Sequence, residues 1–171
     1  MLPYSEEKLE REFQSQGVSH VKRIMRKISG VLTPQPTLIL TFDSRRLPEK
    51  IDAAWFKFKV KEFIPRPRRC YHCQAFGHVM GSCRTKIQGL PAKCINCGKD
   101  VHGECNNIPC CLHCGGRHPC ISKECEVFIF EKEVQTTKVK ERVTFQEAKS
   151  RTFAKFVRPG VSFASVFSNK K

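Results

Sequence analysis

Apolar positions along this chain fall into several spacings, and each predicts a different kind of element. Residues 5–17 place Leu9 and Phe13 four apart behind Ser5, Glu6 and Glu7, and the stretch ends at Gly17. This predicts a helix. Ser5 caps it, the two glutamates suit the positive end of its dipole, Leu9 and Phe13 share a face, and Gly17 is a natural stop. Val18 to Ile28 (VSHVKRIMRKI) is a mixed pattern read as a strand. Pro34 and Pro36 bound a loop, and TLILTF, Thr37 to Phe42, reads as a buried strand. Pro48 suits the first turn of a short helix running to about Ala54. From Phe56 to Lys61 (FKFKVK) the alternation is strict, with one apolar face and Lys57, Lys59 and Lys61 along the other. Those lysines form either a solvated strand face or one that meets phosphates.

The predicted order over residues 1–64 is helix, strand, strand, helix, strand. That is a small α+β sandwich of the RNA-recognition type (RRM-like) without its first strand, a fold-level analogy that does not fix function. The absent strand suggests a fragment, or an internal start at Met1. Residues 65–69 (PRPRR) form a stiff basic linker, in which proline holds Arg66, Arg68 and Arg69 extended and clear of the fold. Helical spacing returns in residues 126–171: Val127 to about Lys140 is one helix, and Thr144 caps a second through Gln146, Glu147 and Ala148. From Phe153 aromatics are scattered among Arg, Lys and Ser, and this basic tail reads as largely disordered or as ordering on a partner.

Between these parts the pattern is set by cysteine. All 11 cysteines lie in residues 70–125. Cys70, Cys73, His78 and Cys83 (residues 70–83) are spaced C-x2-C-x4-H-x4-C. Cys94, Cys97, His102 and Cys105 (94–105) follow as C-x2-C-x4-H-x2-C, and Cys111, Cys114, His118 and Cys125 (111–125) as C-x2-C-x3-H-x6-C. Zinc takes four such ligands in a tetrahedron, and two residues between cysteines let one tight turn present both thiolates. The spacing therefore predicts three tandem CCHC zinc knuckles holding three structural Zn2+ ions. A disulfide framework fits poorly: the cysteine count is odd, and disulfides have no use for a histidine in every block. Cys110 and Cys120 fall outside the pattern, either as substitutes for a ligand or as spare thiols.

Charge then narrows the partner. The formal net charge is +15, from 31 Lys and Arg against 16 Asp and Glu. This favours a polyanion, nucleic acid before an anionic membrane. Apolar runs are only a few residues long, so no segment reads as a membrane span. Metal-ligating thiols must stay reduced, which points to cytosol or nucleus rather than secretion. Each knuckle is too small to bury a core and folds on the free energy of zinc binding. A closed four-ligand cage leaves no place for a catalytic water, so the expectation is binding, not catalysis, and no small-molecule substrate. In the first knuckle Tyr71, Phe76 and Val79 offer apolar platforms for unpaired bases, unless they form the knuckle's own small core. Arg66, Arg68, Arg69, Arg84, Lys86 and Lys93 surround it, with no acidic residue between Pro65 and Lys99. Ile95 and Leu112 take the place of Tyr71 in the other two knuckles, which predicts weaker stacking there.

These residues resemble the gag-like first-open-reading-frame proteins of non-LTR retrotransposons of the jockey kind. The resemblance is carried by TLILTF, LPEKI, FIPRPRRCYHCQAFGH, HCGGRHP, FEKEVQ and VTFQEAKS. The first knuckle is also similar to those of retroviral nucleocapsids, with Tyr71 and Val79 at the base-contacting apolar positions. The resemblance implies an RNA-binding protein that coats element RNA into a cytoplasmic ribonucleoprotein, with nucleic-acid chaperoning and self-association as further implied properties. Two departures stand out. The second knuckle has two residues, not four, between His102 and Cys105, which leaves its fourth ligand open, and the absent first strand implies a truncated element copy. A RING-like protein-interaction module is the alternative, but it would interleave its ligands. A polymerase or nuclease would need a carboxylate cluster for metal ions, and none is evident.

Overall fold

The computed structural model describes residues 4–156, in two compact units that divide between Phe63 and Ile64. In the first unit α1 spans Glu6–Phe13, as the sequence predicts. Ser5 Oγ accepts the Lys8 N–H at 3.4 Å, and the helix runs through a 3₁₀ turn to Gly17, whose φ of 80° is the left-handed stop. Its apolar stripe is real: Leu9 and Phe13 are both buried. With Val18, Val21, Ile51 and Ala53 they form the unit's core, flanked by Leu38, Leu40, Phe42 and Val60.

Strands β1 (Val18–Ile28) and β2 (Val31–Phe42) make one antiparallel hairpin, and β3 (Lys50–Ala53) and β4 (Phe56–Lys59) a second. Three expectations are corrected here. Pro34 and Pro36 lie inside β2, not in a loop. The register passes from Met25↔Pro34 to Arg23↔Leu38, so three β2 residues face one of β1, and an irregularity of this kind tolerates a proline's missing N–H. The run Thr37–Phe42 is only half-buried: Leu38, Leu40 and Phe42 pack against the core, while Thr37 and Thr41 are exposed. Finally, the helix expected from Pro48 to Ala54 is β3. Ile51 and Ala53 are buried while Lys50 and Asp52 are exposed, a period of two that outweighs Pro48 as a helix signal. Among the described residues of this unit the order is thus one α-helix and four strands. β4 alternates as expected, but its apolar face is largely uncovered, with Phe56 66 % exposed and Trp55 beside it 94 % exposed.

The second unit has little regular structure before residue 126. A four-residue helix, α2 (Arg84–Ile87), follows Cys83. Helix α3 (Glu126–Lys140) starts directly from Cys125, whose carbonyl accepts the Ile129 N–H. Helix α4 (Phe145–Phe156) packs back on it around Phe130, Val134 and Ala148. Thr144 and Glu147 form a reciprocal cap: Glu147 Oε2 accepts the Thr144 N–H at 2.9 Å, and Thr144 Oγ1 accepts the Glu147 N–H at 3.3 Å. That contact holds the Glu147 carboxyl below the usual carboxylate range, chiefly through the Thr144 N–H. Phe153 to Phe156, expected in the disordered tail, are the last turn of α4, and Phe153 packs on the helix-pair core. The remainder of the expected tail lies outside the described residues.

Candidate metal centres

One turn is built three times. The N–H of the first cysteine of each block bonds the carbonyl five residues on: Cys70 to Ala75 at 2.9 Å, Cys94 to Lys99 at 2.7 Å, Cys111 to Gly116 at 3.0 Å. The residue four past that cysteine is left-handed in each case, at φ 63° for Gln74, 73° for Gly98 and 69° for Gly115. Glycine is the natural occupant of such a position. Gln74 takes it in the first block because its buried side chain is held, Nε2 donating to the Tyr71 and Lys93 carbonyls. At Gly98 a second constraint applies, since a Cβ would stand 2.8 Å from Leu112 Cγ.

These turns bring together the three ligand sets that the spacing predicts. Cys70, Cys73, His78 and Cys83 form one, Cys94, Cys97, His102 and Cys105 the second, and Cys111, Cys114, His118 and Cys125 the third, with all ligand atoms of a set within 4.8 Å of one another. Cys105 therefore joins the second set despite its short arm. Tetrahedral zinc with Zn–S bonds of about 2.3 Å requires sulfurs about 3.8 Å apart. In the third set Cys111 Sγ lies 3.7 Å, and Cys114 Sγ 3.8 Å, from Cys125 Sγ. The imidazoles are oriented through Nε2, which lies 3.3 Å from Cys73 Sγ for His78, 3.9 Å from Cys97 Sγ for His102 and 3.1 Å from Cys114 Sγ for His118. Backbone carbonyls fix two of these rings: His102 Nδ1 faces the Asp100 oxygen and His118 Nδ1 the Pro119 oxygen, each at 2.8 Å. A carbonyl on Nδ1 leaves Nε2 as the free ligand nitrogen.

The electrostatics fit a dication. Burial pushes the Cys125 thiol up to about 12, and raises Cys73 and Cys97 as well. Clustered thiolates without a counter-charge are costly, and a bound cation reverses that balance by displacing the protons. Each of the first two sets also holds one stabilised thiolate. The Thr85 hydroxyl, 3.0 Å from Cys83 Sγ, brings that thiol down to about 5. Asn96 Nδ2 donates to Cys105 Sγ, which is lowered to about 6 by this contact first and by His102 second. The sequence signals for these two are slight: Asn96 is the polar residue inside a Cys-x-x-Cys turn, and Thr85 lies two residues past the last ligand of its block. The donor set, three thiolates and one imidazole in each case, suits four-coordinate zinc. No set borrows a ligand from another block, so the sites are not interleaved.

The three turns are nonetheless one body. Lys93 N–H bonds the His72 carbonyl at 2.7 Å, Cys110 N–H the Asn96 carbonyl at 2.9 Å, and Cys120 N–H the Ile95 carbonyl at 2.9 Å. Cys120 belongs to none of the three sets. It is a buried packing thiol whose carbonyl accepts Arg69 Nη1 at 2.7 Å and whose sulfur accepts the Leu112 N–H. Cys110 is exposed and belongs to none of the three sets.

The expected nucleic-acid residues separate into two groups. Tyr71 is 69 % and Val79 51 % exposed, and the Arg69 guanidinium lies 5.7 Å from the Tyr71 ring centroid. Phe76 is half-buried instead, its centroid 4.5 Å from that of His113 and 6.4 Å from that of Phe128 on α3. Arg66 and Arg68 are exposed, as are Arg84 and Lys86 on α2. Residues 65–69 are not the free linker expected. Pro67 is buried, the Arg68 carbonyl accepts the Gly77 N–H at 2.9 Å, and Arg69 is tied to Cys120. Lys93 is paired with Asp100 at 2.5 Å. In the first unit Lys57 and Lys59 lie exposed on β4, with Lys61 exposed just past it.

Residues 1–62 match a family described as a domain of unknown function, DUF8775. No curated protein and no solved structure matches the chain.

Proposed function

We propose that this chain is a single-stranded nucleic-acid-binding protein, RNA first, whose three Cys3His sets hold structural zinc and act as CCHC knuckles. The observation that carries the reading is the first knuckle. An exposed Tyr71 and Val79 stand on its rigid loop, among Arg66, Arg68, Arg84 and Lys86, in a stretch with no acidic residue from Pro65 to Lys99. Stacking of an unpaired base on Tyr71 contributes about 1–3 kcal/mol, with the cations taking neighbouring phosphates. The protein's part is binding and orientation; the zinc, when bound, fixes the loops and does no chemistry.

The likeness to jockey-type gag proteins extends the reading to coating of element RNA in a cytoplasmic ribonucleoprotein with access to the nucleus, and to self-association. The RRM-like character of residues 1–64 belongs to the same extension. A RING-like module draws less support, because each ligand set comes from one contiguous block. The test is fluorescence anisotropy of a labelled single-stranded RNA against zinc-loaded and chelated protein across a salt series. Four to six neutralised phosphates predict a salt slope of about −3 to −4. Equal affinity with and without chelator would sink the knuckle mechanism.

A further inference from the structure

We propose that the β1–β2 hairpin is a second nucleic-acid-binding arm, which holds the sugar–phosphate backbone through Lys22, Arg26 and Lys27 without any metal. This inference rests on the nucleic-acid reading above and adds a surface in the other unit. Val21 is the last buried residue of β1, and all eight residues from Met25 to Leu32 are exposed. Leu38, opposite Arg23, still packs on the core, and the five residues from Ile24 to Ile28, at about 3.3 Å each, carry the strand about 16 Å beyond that point. The tip turns tightly at Ser29 and Gly30, both left-handed at φ 49° and 86°. A bare two-stranded ribbon is marginal in water. This one also exposes Met25, Ile28, Val31 and Leu32, by 48–67 %. Nothing in the unit's own packing accounts for such a projection.

Its charge identifies the partner. No acidic residue lies between Glu12 and Asp43. The carboxylates of α1 that reach the hairpin do so at its root, where Glu10 meets His20 and the Val21 N–H, and Glu6 takes the Arg23 N–H. Arg23 itself is held by the Tyr4 carbonyl. Lys22, Arg26 and Lys27 form no ion pair among the described residues. Lys22 and Arg26 share one face with Ile28, while Lys27 shares the other with Met25 and, across the register, Leu32. Cations on both faces suit a ribbon enclosed by nucleic-acid strands better than one lying flat on a membrane. A second copy presents the same cations, and like charges repel.

The experiment uses the full chain with Lys22→Gln, Arg26→Gln and Lys27→Gln combined, and the labelled single-stranded RNA, zinc-loaded and chelated, across a salt series. Loss of three phosphate contacts lowers the salt slope by about 2. The chelated variant should lose most of the residual binding that chelated wild type retains, and Lys22→Arg with Lys27→Arg should restore wild-type behaviour. An unchanged slope and affinity in both metal states overturns the arm. So does a variant that binds RNA as wild type but loses phosphatidylserine vesicles or changes its sedimentation. If wild type binds RNA equally well zinc-loaded and chelated, and the triple variant abolishes that binding in both states, the arm stands and the knuckle reading falls.

Discussion

Tyr71 and Phe76 stand five residues apart around one ligand loop, one ring exposed and the other packed, and the proposed function gives them opposite work. Phe76→Ala removes a half-buried ring and its contacts with His113 and Phe128, at 4.5 and 6.4 Å between centroids. Each aromatic pair contributes about 0.5–1.5 kcal/mol beyond burial. The lost burial of a half-covered ring adds about 1–1.5 kcal/mol. The expected destabilisation of the second unit is therefore about 2–4 kcal/mol, read as a lowered urea midpoint in zinc-loaded protein. Tyr71→Ala removes a ring that is 69 % exposed, so the midpoint should move by no more than about 0.5 kcal/mol. Its RNA affinity should instead fall by about 1–3 kcal/mol, roughly 5- to 150-fold. A Phe76→Ala protein that unfolds like wild type yet loses RNA would refute this division, and would place the base on Phe76.

Three further outcomes follow from the same contacts. Chelation should cost helical circular dichroism as well as metal, because α3 begins at Cys125 and the α3–α4 core is small; undiminished helicity at 222 nm, the usual helix band, would show that the helix pair folds alone. Thr144→Ala removes the α4 cap and should destabilise by about 1 kcal/mol in urea melts. Because the Glu147 partner carboxyl titrates low in the folded protein, the stability it contributes is present above its unfolded pKa and lost as pH falls through its folded one. Glu131 is the reverse: burial raises its carboxyl pKa, so the stability of the protonated form is lost as pH rises through the folded value. Glu131→Gln should therefore raise the midpoint at neutral pH and leave it unchanged in acid; an equal gain at both pH values would contradict that assignment.

Much of the second unit was legible in the sequence because metal ligation is a local constraint. Two residues between cysteines suffice to set a turn, and the same turn recurs wherever that spacing does. The α1 helix was legible for a similar reason, since cap, stripe and stop lie within 13 residues, Ser5 to Gly17. What escaped was tertiary. Pro48 is a genuine helix-start residue, but Ile51 and Ala53 are drawn into the core of Leu9 and Phe13, and that pairing decides for a strand. Pro34 and Pro36 are accommodated by an irregularity in β2 that depends on its partner's register. The packing of the three ligand turns into one body rests on backbone bonds such as Cys120 to Ile95, and these leave no trace in composition. Phe76, equally plausible as a base platform or as core, was decided by His113, which lies 37 positions away.

The central claim is that these twelve side chains form three closed metal sites, each supplied by its own block. Native mass spectrometry of the reduced, zinc-loaded chain tests it most directly, with Cys105→Ser measured beside wild type. The account predicts three zinc ions per chain, and a weakened or lost ion in Cys105→Ser with the other two retained. Two ions or fewer in wild type, or three held as firmly without Cys105, would contradict it.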